Sequence, residues 1–537
     1  MVMTKKHCLL IAVAALGVAT TACADAGEDT ATESENKDIV NESGFPIVKE
    51  PIELTFFTGK SEPNSNNFEE TYVWKTYEEM TDMKINFELA AFDGLAEKRN
   101  LLFASGNYPD AFYSARLTAS DLATYGEQGI LIPLDDLIEE YAPNFKAALD
   151  KHPDLRKGLT MPDGHIYSFP SYYDPDFLPM LIGVPLWIND EWLDELGMER
   201  PTTTDAFYDY LTAVKNTPEL AEGEIIPFSG TNMTEIRGQL QGAWGFGNRG
   251  VGHKFIDVDP ENEGELRFFR TDPKYKEFLE YLNKLYTEEL IDPEVYTHDS
   301  AQLLAKGAEG RIGAVITSNP ETLMNQDHYS GGEALEGPHG DKLYSHVKPP
   351  LVHVGAFAIT DKNEHPEATV RWIDYFFGEE GATFYFMGKE GETYTKQEDG
   401  SLEYTEEITD NPDGLTQDQA LASYITWLGG SYPGYVQEHY FKGSESLPNS
   451  IENGEKAAAN APEEIWNAFN YTREEQQFRD SVGADLETFI NETEDAFITG
   501  RKPLSEWDDY VAQVEAMGLE EYMSIQQAAY ERYQEVD

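Results

Sequence analysis

The amino-acid sequence predicts an α/β chain built on a doubly wound parallel sheet, and three observations carry that prediction. Short alternating segments at residues 52–57 (IELTFF), 84–89 (KINFEL) and 110–114 alternate with helical patterns, the strand–helix–strand–helix–strand order of a parallel sheet. The length of 537 residues exceeds a single domain and fits two or three. A hydrophobic content of 40% with 12% aromatics supplies core-forming side chains that an acidic disordered polymer lacks.

The elements follow in order. Lys5 and Lys6 precede an apolar run over residues 8–20, and the small residues Thr21 and Ala22 lead to Cys23. The run is shorter than the ~20 residues a spanning helix needs and reads as a signal peptide over residues 1–22. Only two cysteines occur, one inside that segment and one at its end, so the mature body has no thiol pair for a disulfide. Residues 23–50 are small, polar and acidic, the composition of a solvated tether.

The first strand ends in the loop Thr58-Gly59-Lys60-Ser61, and helices are expected over 68–80 and 95–104 on either side of the second strand. Beyond them, Asp272-Pro273 opens a helix whose apolar positions Tyr275, Phe278, Leu279, Leu282, Leu285 and Tyr286 recur at gaps of three and four. His365-Pro366 opens another, and Trp507 to Met517 stops at Gly518 before a final helix.

A net charge of −60 sets long-range repulsion against phosphate, which excludes nucleic acid as a partner. Gly245-Phe246-Gly247-Asn248-Arg249-Gly250 satisfies G-x-G-x-x-G, but it lacks the preceding strand and following helix of a dinucleotide fingerprint and reads as a loop near a cleft. No zinc-protease, nucleophile-elbow or Walker A motif occurs, and the 11 histidines lack metal-ligand spacing.

Several stretches in order resemble the extracellular solute-binding lipoproteins of bacterial ABC importers (family 1 type, oligosaccharide-binding branch). They include ASGNYPD at 104–110, GILIPLDDLI at 129–138, DGHIYSFP at 163–170, WLDELG at 192–197 with PTT at 201–203, YLNKLY at 281–286 with IDPE at 291–294, and FITG at 497–500. The resemblance runs from about residue 50 to the C-terminus. It implies a two-lobed periplasmic-binding-protein type II clamshell with a multi-strand hinge, lobe one from 51–165 and 352–395 and lobe two from 166–351 and 396–537. It also implies a non-enzymatic, lipid-anchored receptor on the extracellular face of the cell membrane, which delivers an oligosaccharide to separate permease subunits and acts as a monomer without cofactor. Cys23 stands where the lipobox cysteine of such proteins receives diacylglycerol, although Thr20 replaces their usual Leu.

The calcium loop of many relatives is missing. Residues 216–224 place Asn, Pro and Leu where a hard cation needs alternate oxygens, and the acidic turn at 259–264 has Arg270 where a closing Glu belongs. No metal is expected. A peptide receptor, a secreted glycan-active hydrolase and a glycan-binding adhesin are the rival readings. The hydrolase needs only a carboxylate pair, which 99 acidic residues neither identify nor exclude.

Aromatic faces cover the C–H faces of pyranoses while polar neighbours bond the hydroxyls. The ligand-binding candidates are therefore aromatics at strand ends or beside glycines, Tyr113, Tyr172, Tyr173, Trp244, Trp427 and Tyr432. Polar candidates are Lys60 and Ser61 after the first strand, Ser114 and Arg116 after the third, and Arg249. Trp427 in particular is expected on lobe two as a stacking platform. Trp74, Trp372 and Trp466 sit in helical patterns and are expected in the core.

Overall fold

The structure, a computed structural model, describes residues 39–262 and 264–536. The signal peptide and Cys23 lie outside the described residues. In chain order the strands are β1 (Ile52–Lys60), β2 (Met83–Ala91), β3 (Ala111–Leu117), β4 (Phe169–Tyr173), β5 (Leu186–Asn189), β6 (Ile226–Gly230), β7 (Ile256–Val258), β8 (Leu266–Phe268), β9 (Ile312–Ile316), β10 (Tyr329–Gly331), β11 (Leu351–Ile359), β12 (Tyr394–Lys396), β13 (Leu402–Tyr404) and β14 (Gly434–Val436). Six of them form one sheet in the order β14-β4-β11-β3-β1-β2, and four form a second in the order β10-β5-β9-β6.

The three strands expected first are all present, and β1 pairs parallel to both β2 and β3. Helices Tyr72–Thr81 and Phe92–Ser105 make the crossovers. The first core gathers Phe56, Trp74, Tyr77, Tyr113, Trp372 and Phe376, with the Trp74 and Trp372 rings stacked 5.3 Å apart. Helix Pro273–Thr287 buries the face read from its periodicity, with Tyr275, Phe278, Leu279, Leu282 and Leu285 all inside the second core. Trp466 is fully buried there as well.

A buried ion cluster ties the second core together. Glu494 has no exposed surface, and its Oε2 accepts from Arg237 Nη1 at 2.6 Å, Arg270 Nη1 at 2.9 Å and the Tyr275 hydroxyl at 3.2 Å. These residues come from helix Met233–Leu240, the turn Phe269–Thr271, helix Pro273–Thr287 and helix Ala484–Ile498, so one carboxylate joins four elements.

Three sequence-based boundaries are corrected. Residues 39–50 do not all belong to a solvated tether: Val40, Ile47 and Val48 are buried, Phe45 packs edge-on to Tyr375 at 5.1 Å, and Arg371 Nη2 donates to the Gly44 carbonyl at 3.0 Å. The few apolar residues in that acidic stretch are enough to seat it on the body. Residues 169–173, expected in lobe two, form β4 of the first sheet. Residues 396–441 also join the first lobe, because β14 pairs parallel to β4 and Leu402, Tyr432, Tyr440 and Phe441 bury their surface in the first core.

The chain therefore passes between lobes after β4, before β11 and after β14, and these three strands are neighbours in one sheet. The crossing segments bond one another: Tyr173 N donates to the Pro350 carbonyl, Asp174 N to the Val436 carbonyl and Lys348 N to the Leu181 carbonyl, each at 2.9 Å.

Removing one member of the buried cluster leaves its partners' charges uncompensated. Glu494→Ala is expected to cost ~3–5 kcal/mol. Urea unfolding followed by fluorescence measures this, and the second lobe should unfold at lower denaturant than the first.

Candidate functional site

The parallel strands β1, β2 and β3 end on the side of the first lobe where a ledge is built. At the end of β1, Lys60 Nζ donates to the Asn64 carbonyl at 3.2 Å, and Ser61 Oγ donates to the Leu428 carbonyl at 2.7 Å. The buried Asn64 amide donates to Leu428 O at 2.9 Å and to Ser61 Oγ at 3.1 Å. These bonds clamp the loop 428–431 onto β1 across more than 360 residues of sequence. Gly429, at φ +84°, meets Ser61 so closely that an added Cβ would stand 2.4 Å from the serine Cβ, so only glycine fits.

The end of β3 is irregular. Tyr113 pairs with Phe357 and Leu117 with Gly355, which leaves residues 114–116 opposite Ala356 alone. Such a bulge re-aims side chains at a sheet edge. Ser114 (φ +49°) and Arg116 (φ +53°) both take the left-handed conformation there, and Ser431 (φ +67°) does so on the facing loop. Three non-glycine residues in that region within one site is costly backbone that the surroundings must hold in place. Buried Arg99 does so: its Nη1 donates to the Ala115 carbonyl at 2.9 Å and also to the Arg116 carbonyl, while Nη2 pairs with Asp121 at 3.1 Å.

The bulge delivers Arg116 to an exposed position. Its guanidinium lies 3.7 Å from the Phe92 ring centroid, and its Nε donates to Ser431 Oγ at 2.7 Å. The serine oxygen lies 3.3 Å from His353 Nε2, and burial, together with the Arg116 charge, holds the imidazole below its ordinary pKa. His353 is thus neutral at neutral pH, and the serine hydroxyl that accepts from Arg116 is free to donate to it. No carboxylate lies within ion-pair distance of Arg116 among the described residues, which leaves its outer N–H groups to a ligand. A planar cation stacked on an aromatic, flanked by Lys60, Ser61 and an imidazole, presents several donors and an apolar face to a hydroxylated solute.

The structure brings Lys60, Ser61, Ser114 and Arg116 together in this way, and Tyr173 stands half-buried at the β4 crossing with its hydroxyl bonded to Tyr432. Other candidates are placed elsewhere. Tyr113 is buried in the first core with its hydroxyl on Tyr385, and Tyr172 is buried between His152 and Tyr435. Tyr432 is buried edge-on to Phe386 at 5.2 Å. Trp244 is 3% exposed and packs 5.0 Å from Phe278 and 5.2 Å from Tyr281 in the second core. Arg249 is occupied by Glu464 at 3.4 Å and lies over Trp466.

Trp427 is on the first lobe, not the second. Its Nε1 donates to the Phe386 carbonyl at 3.1 Å, and its ring packs among Phe386, Tyr432 and Phe441 at 5.6–5.9 Å. The two glycines beside it serve Ser61 and the left-handed turn, so they gave no information about the tryptophan. Phe92, Asn64, His353 and Ser431 are the site residues that sequence reasoning missed. Ser431, directly after Gly429-Gly430, carried the only local signal.

The G-x-G-x-x-G segment has a different use. The Gly247 and Asn248 amides donate to buried Asp257 Oδ2 at 3.0 and 3.3 Å, and Arg267 pairs with the same carboxylate at 2.6 Å. The amides that would cradle a pyrophosphate are already bonded to a carboxylate of the protein itself. At the acidic turn, Asp259 Oδ1 accepts from the Glu261 amide at 2.8 Å, which uses the carboxylate in the turn.

The family profile of bacterial extracellular solute-binding proteins matches residues 62–383. The chain is 29% identical over 509 residues to the fructooligosaccharide ABC transporter substrate-binding protein FusA of Streptococcus pneumoniae, covering 91% of this chain and 92% of that protein. The solved structure of S. pneumoniae FusA in complex with kestose superposes with a TM-score of 0.71 at 27% identity, covering 90% of this chain and 99% of that one. An HMO-binding ABC-transporter-associated solute-binding protein from Bifidobacterium longum infantis shares the fold, with a TM-score of 0.77 at 19% identity over 90% of this chain and 99% of that one.

Two substitutions separate ledge from core. Arg116→Ala is expected to weaken oligosaccharide binding by about tenfold or more, because charge-assisted hydrogen bonds carry ~1.5–3 kcal/mol, while the unliganded melting temperature stays nearly constant. Trp427→Ala should do the reverse: it removes packing worth about 2–4 kcal/mol and lowers the unliganded melting temperature, with affinity changed less than about threefold. Calorimetry and thermal melting on the same proteins check both.

Proposed function

The chain belongs to the bacterial extracellular solute-binding proteins, and from that premise we propose that it captures an oligosaccharide between its lobes and delivers it to the permease of an ABC importer. The observation that carries this reading is the extent of the likeness to the S. pneumoniae fructooligosaccharide-binding protein, which covers 91% of this chain and 92% of that protein. The ledge fits the role: Lys60 and Arg116 offer hydrogen-bond donors beside the Phe92 ring, the pairing that suits a sugar's hydroxyls and C–H face. The ledge's donors and ring face suit recognition, with closure of the lobes as the signal a permease reads.

The location follows from Cys23. Lipidation there would hold the receptor on the extracellular face of the membrane as a monomer, with residues 39–50 seated on the first lobe and therefore shortening the free tether.

Calorimetry with kestose and a panel of neutral plant-wall and algal oligosaccharides, set beside a peptide panel, tests the ligand class. Binding to one or more oligosaccharides with no peptide bound is the expected result, and binding to peptides alone would overturn it. Growth with radiolabelled palmitate tests the anchor. Wild-type protein should carry label and Cys23→Ala should carry none; equal labelling would refute lipidation at this residue.

A further inference from the structure

A cavity of about 320 Å3 opens between the lobes, and the described ledge does not use it. Its first-lobe wall is Ala119 and Ser120, three and four residues beyond Arg116, and its second-lobe wall includes residues 252–256, Tyr471 and Arg479, with Tyr522 and Gln526 from the helix Leu519–Glu535. The volume lies at the lower end of the ~300–1,000 Å3 usual for small-molecule sites, enough for a sugar unit or two.

The charge in this cavity is unusual for so acidic a chain. Arg479 lies with its guanidinium 3.8 Å from the Tyr471 ring centroid, its Nε is buried without a hydrogen-bond partner, and no carboxylate approaches it within ion-pair distance among the described residues. With 99 acidic residues available to 39 basic ones, an inward-facing arginine left without an acid is not explained by scarcity of partners. Exposed Lys254 lines the same cavity and likewise has no ion pair among the described residues. Among the described residues the single lining carboxylate, Glu487, accepts from the Tyr522 hydroxyl at 3.3 Å. His253 adds no charge at neutral pH, because burial pushes it down to about 4 while its Nε2 bonds the Asn467 carbonyl at 3.1 Å.

The backbone at Arg479 is also irregular. Helix Arg473–Phe478 passes into a π-helical turn, Arg479–Gly483, before continuing as Ala484–Ile498. Turns of this type recur at functional sites because they shift the side chains that follow out of helical register. Opposite the arginine, the Gln526 amide is buried and its Oε1 accepts from the Tyr471 hydroxyl at 2.7 Å, which fixes the ring on which Arg479 rests.

We propose that this cavity is a subsite for the carboxylate of a uronic-acid unit, with Arg479 reading the charge and Lys254 assisting at the rim. The proposal rests on the oligosaccharide reading and narrows it to glycans that carry at least one acidic sugar. A guanidinium held over a ring offers a planar fork to a carboxylate, whereas Lys254 contributes only a mobile point charge.

Calorimetry with trigalacturonate, kestose and sodium sulfate at one ionic strength tests it on wild type, Arg479→Gln, Arg479→Lys and Lys254→Gln. Wild type is expected to bind trigalacturonate. Arg479→Gln should lose tenfold or more on trigalacturonate with less than a threefold change on any neutral sugar bound, Arg479→Lys should recover only part of the loss, and Lys254→Gln should lose about threefold. Lys254 is exposed, so that variant remains informative if the Arg479 variants melt early. Binding of neutral sugars without trigalacturonate, equal losses on both sugar classes in Arg479→Gln, or sulfate binding that trigalacturonate does not displace would each overturn the subsite and leave the oligosaccharide reading standing. Binding of peptides alone would remove both.

Discussion

The architecture depends on one constraint: all three passages of the chain between lobes are gathered on adjacent strands of a single sheet, in the order β14-β4-β11. Hydrogen bonds between the crossing segments make them a ribbon rather than three separate linkers. A ribbon of this kind can bend about its own width while resisting shear, which restricts the lobes to hinge-like motion. The segment 466–471 reinforces it from the second lobe: Asn467 Nδ2 donates to the Asp154 carbonyl at 2.8 Å, its Oδ1 accepts from Leu351 N, and Asn470 Nδ2 bonds the Gly158 and Thr160 carbonyls. On the first-lobe side, Asp174 accepts from Tyr435 and Gln437, and His152 lies 2.8 Å from the same tyrosine hydroxyl, so β4 and β14 are also locked through their side chains.

Each lobe must then be rigid enough for the hinge to be the softest part. The first lobe achieves this with aromatic packing, in which Trp74, Tyr77, Trp372 and Phe376 lie within 6.5 Å of one another. The second combines an apolar core with the Arg237–Glu494–Arg270 cluster. Ions buried in this way carry a desolvation cost that their attraction repays only with good geometry, and their value here is that a single carboxylate sets the relative positions of four helices and turns. Arg270 gains further from the Phe255, Phe269 and Tyr275 rings, each about 5 Å from its guanidinium carbon.

The ledge and the interlobe cavity use the same device. Arg116 on Phe92 and Arg479 on Tyr471 are both arginines laid on rings at under 4 Å with no carboxylate partner among the described residues. The field of dense surface carboxylates is largely screened beyond a Debye length, so those remote from a site contribute little beside cations that lie within hydrogen-bonding reach of the ligand. A strongly acidic receptor and local recognition of a polar or acidic sugar are therefore compatible. The strained backbone of Ser114, Arg116 and Ser431 is what aims the first of these arginines, and Arg99 keeps it aimed when no ligand is present.

By itself, the sequence determined the class of fold, the first three strands, the buried face of helix Pro273–Thr287 and the core positions of Trp74, Trp372 and Trp466. These depend on periodicity, which is local. It also brought Lys60, Ser61 and Arg116 to one edge of the first lobe, because strand ends in a parallel sheet converge by construction. Only the tertiary structure decided where residues 396–441 belong, since their strand β14 is three residues long and its partner β4 lies 261 or more residues away in sequence. It also sorted the aromatics. Tyr113, Tyr172, Trp244 and Tyr432 have neighbours from distant segments that fill their faces and Trp427 is half-buried against Phe386 and Phe441, and nothing in the adjacent residues distinguishes a filled face from an open one. The β3 bulge was invisible for the same reason: it exists only as a mismatch in length against β11, a strand that begins more than 230 residues later.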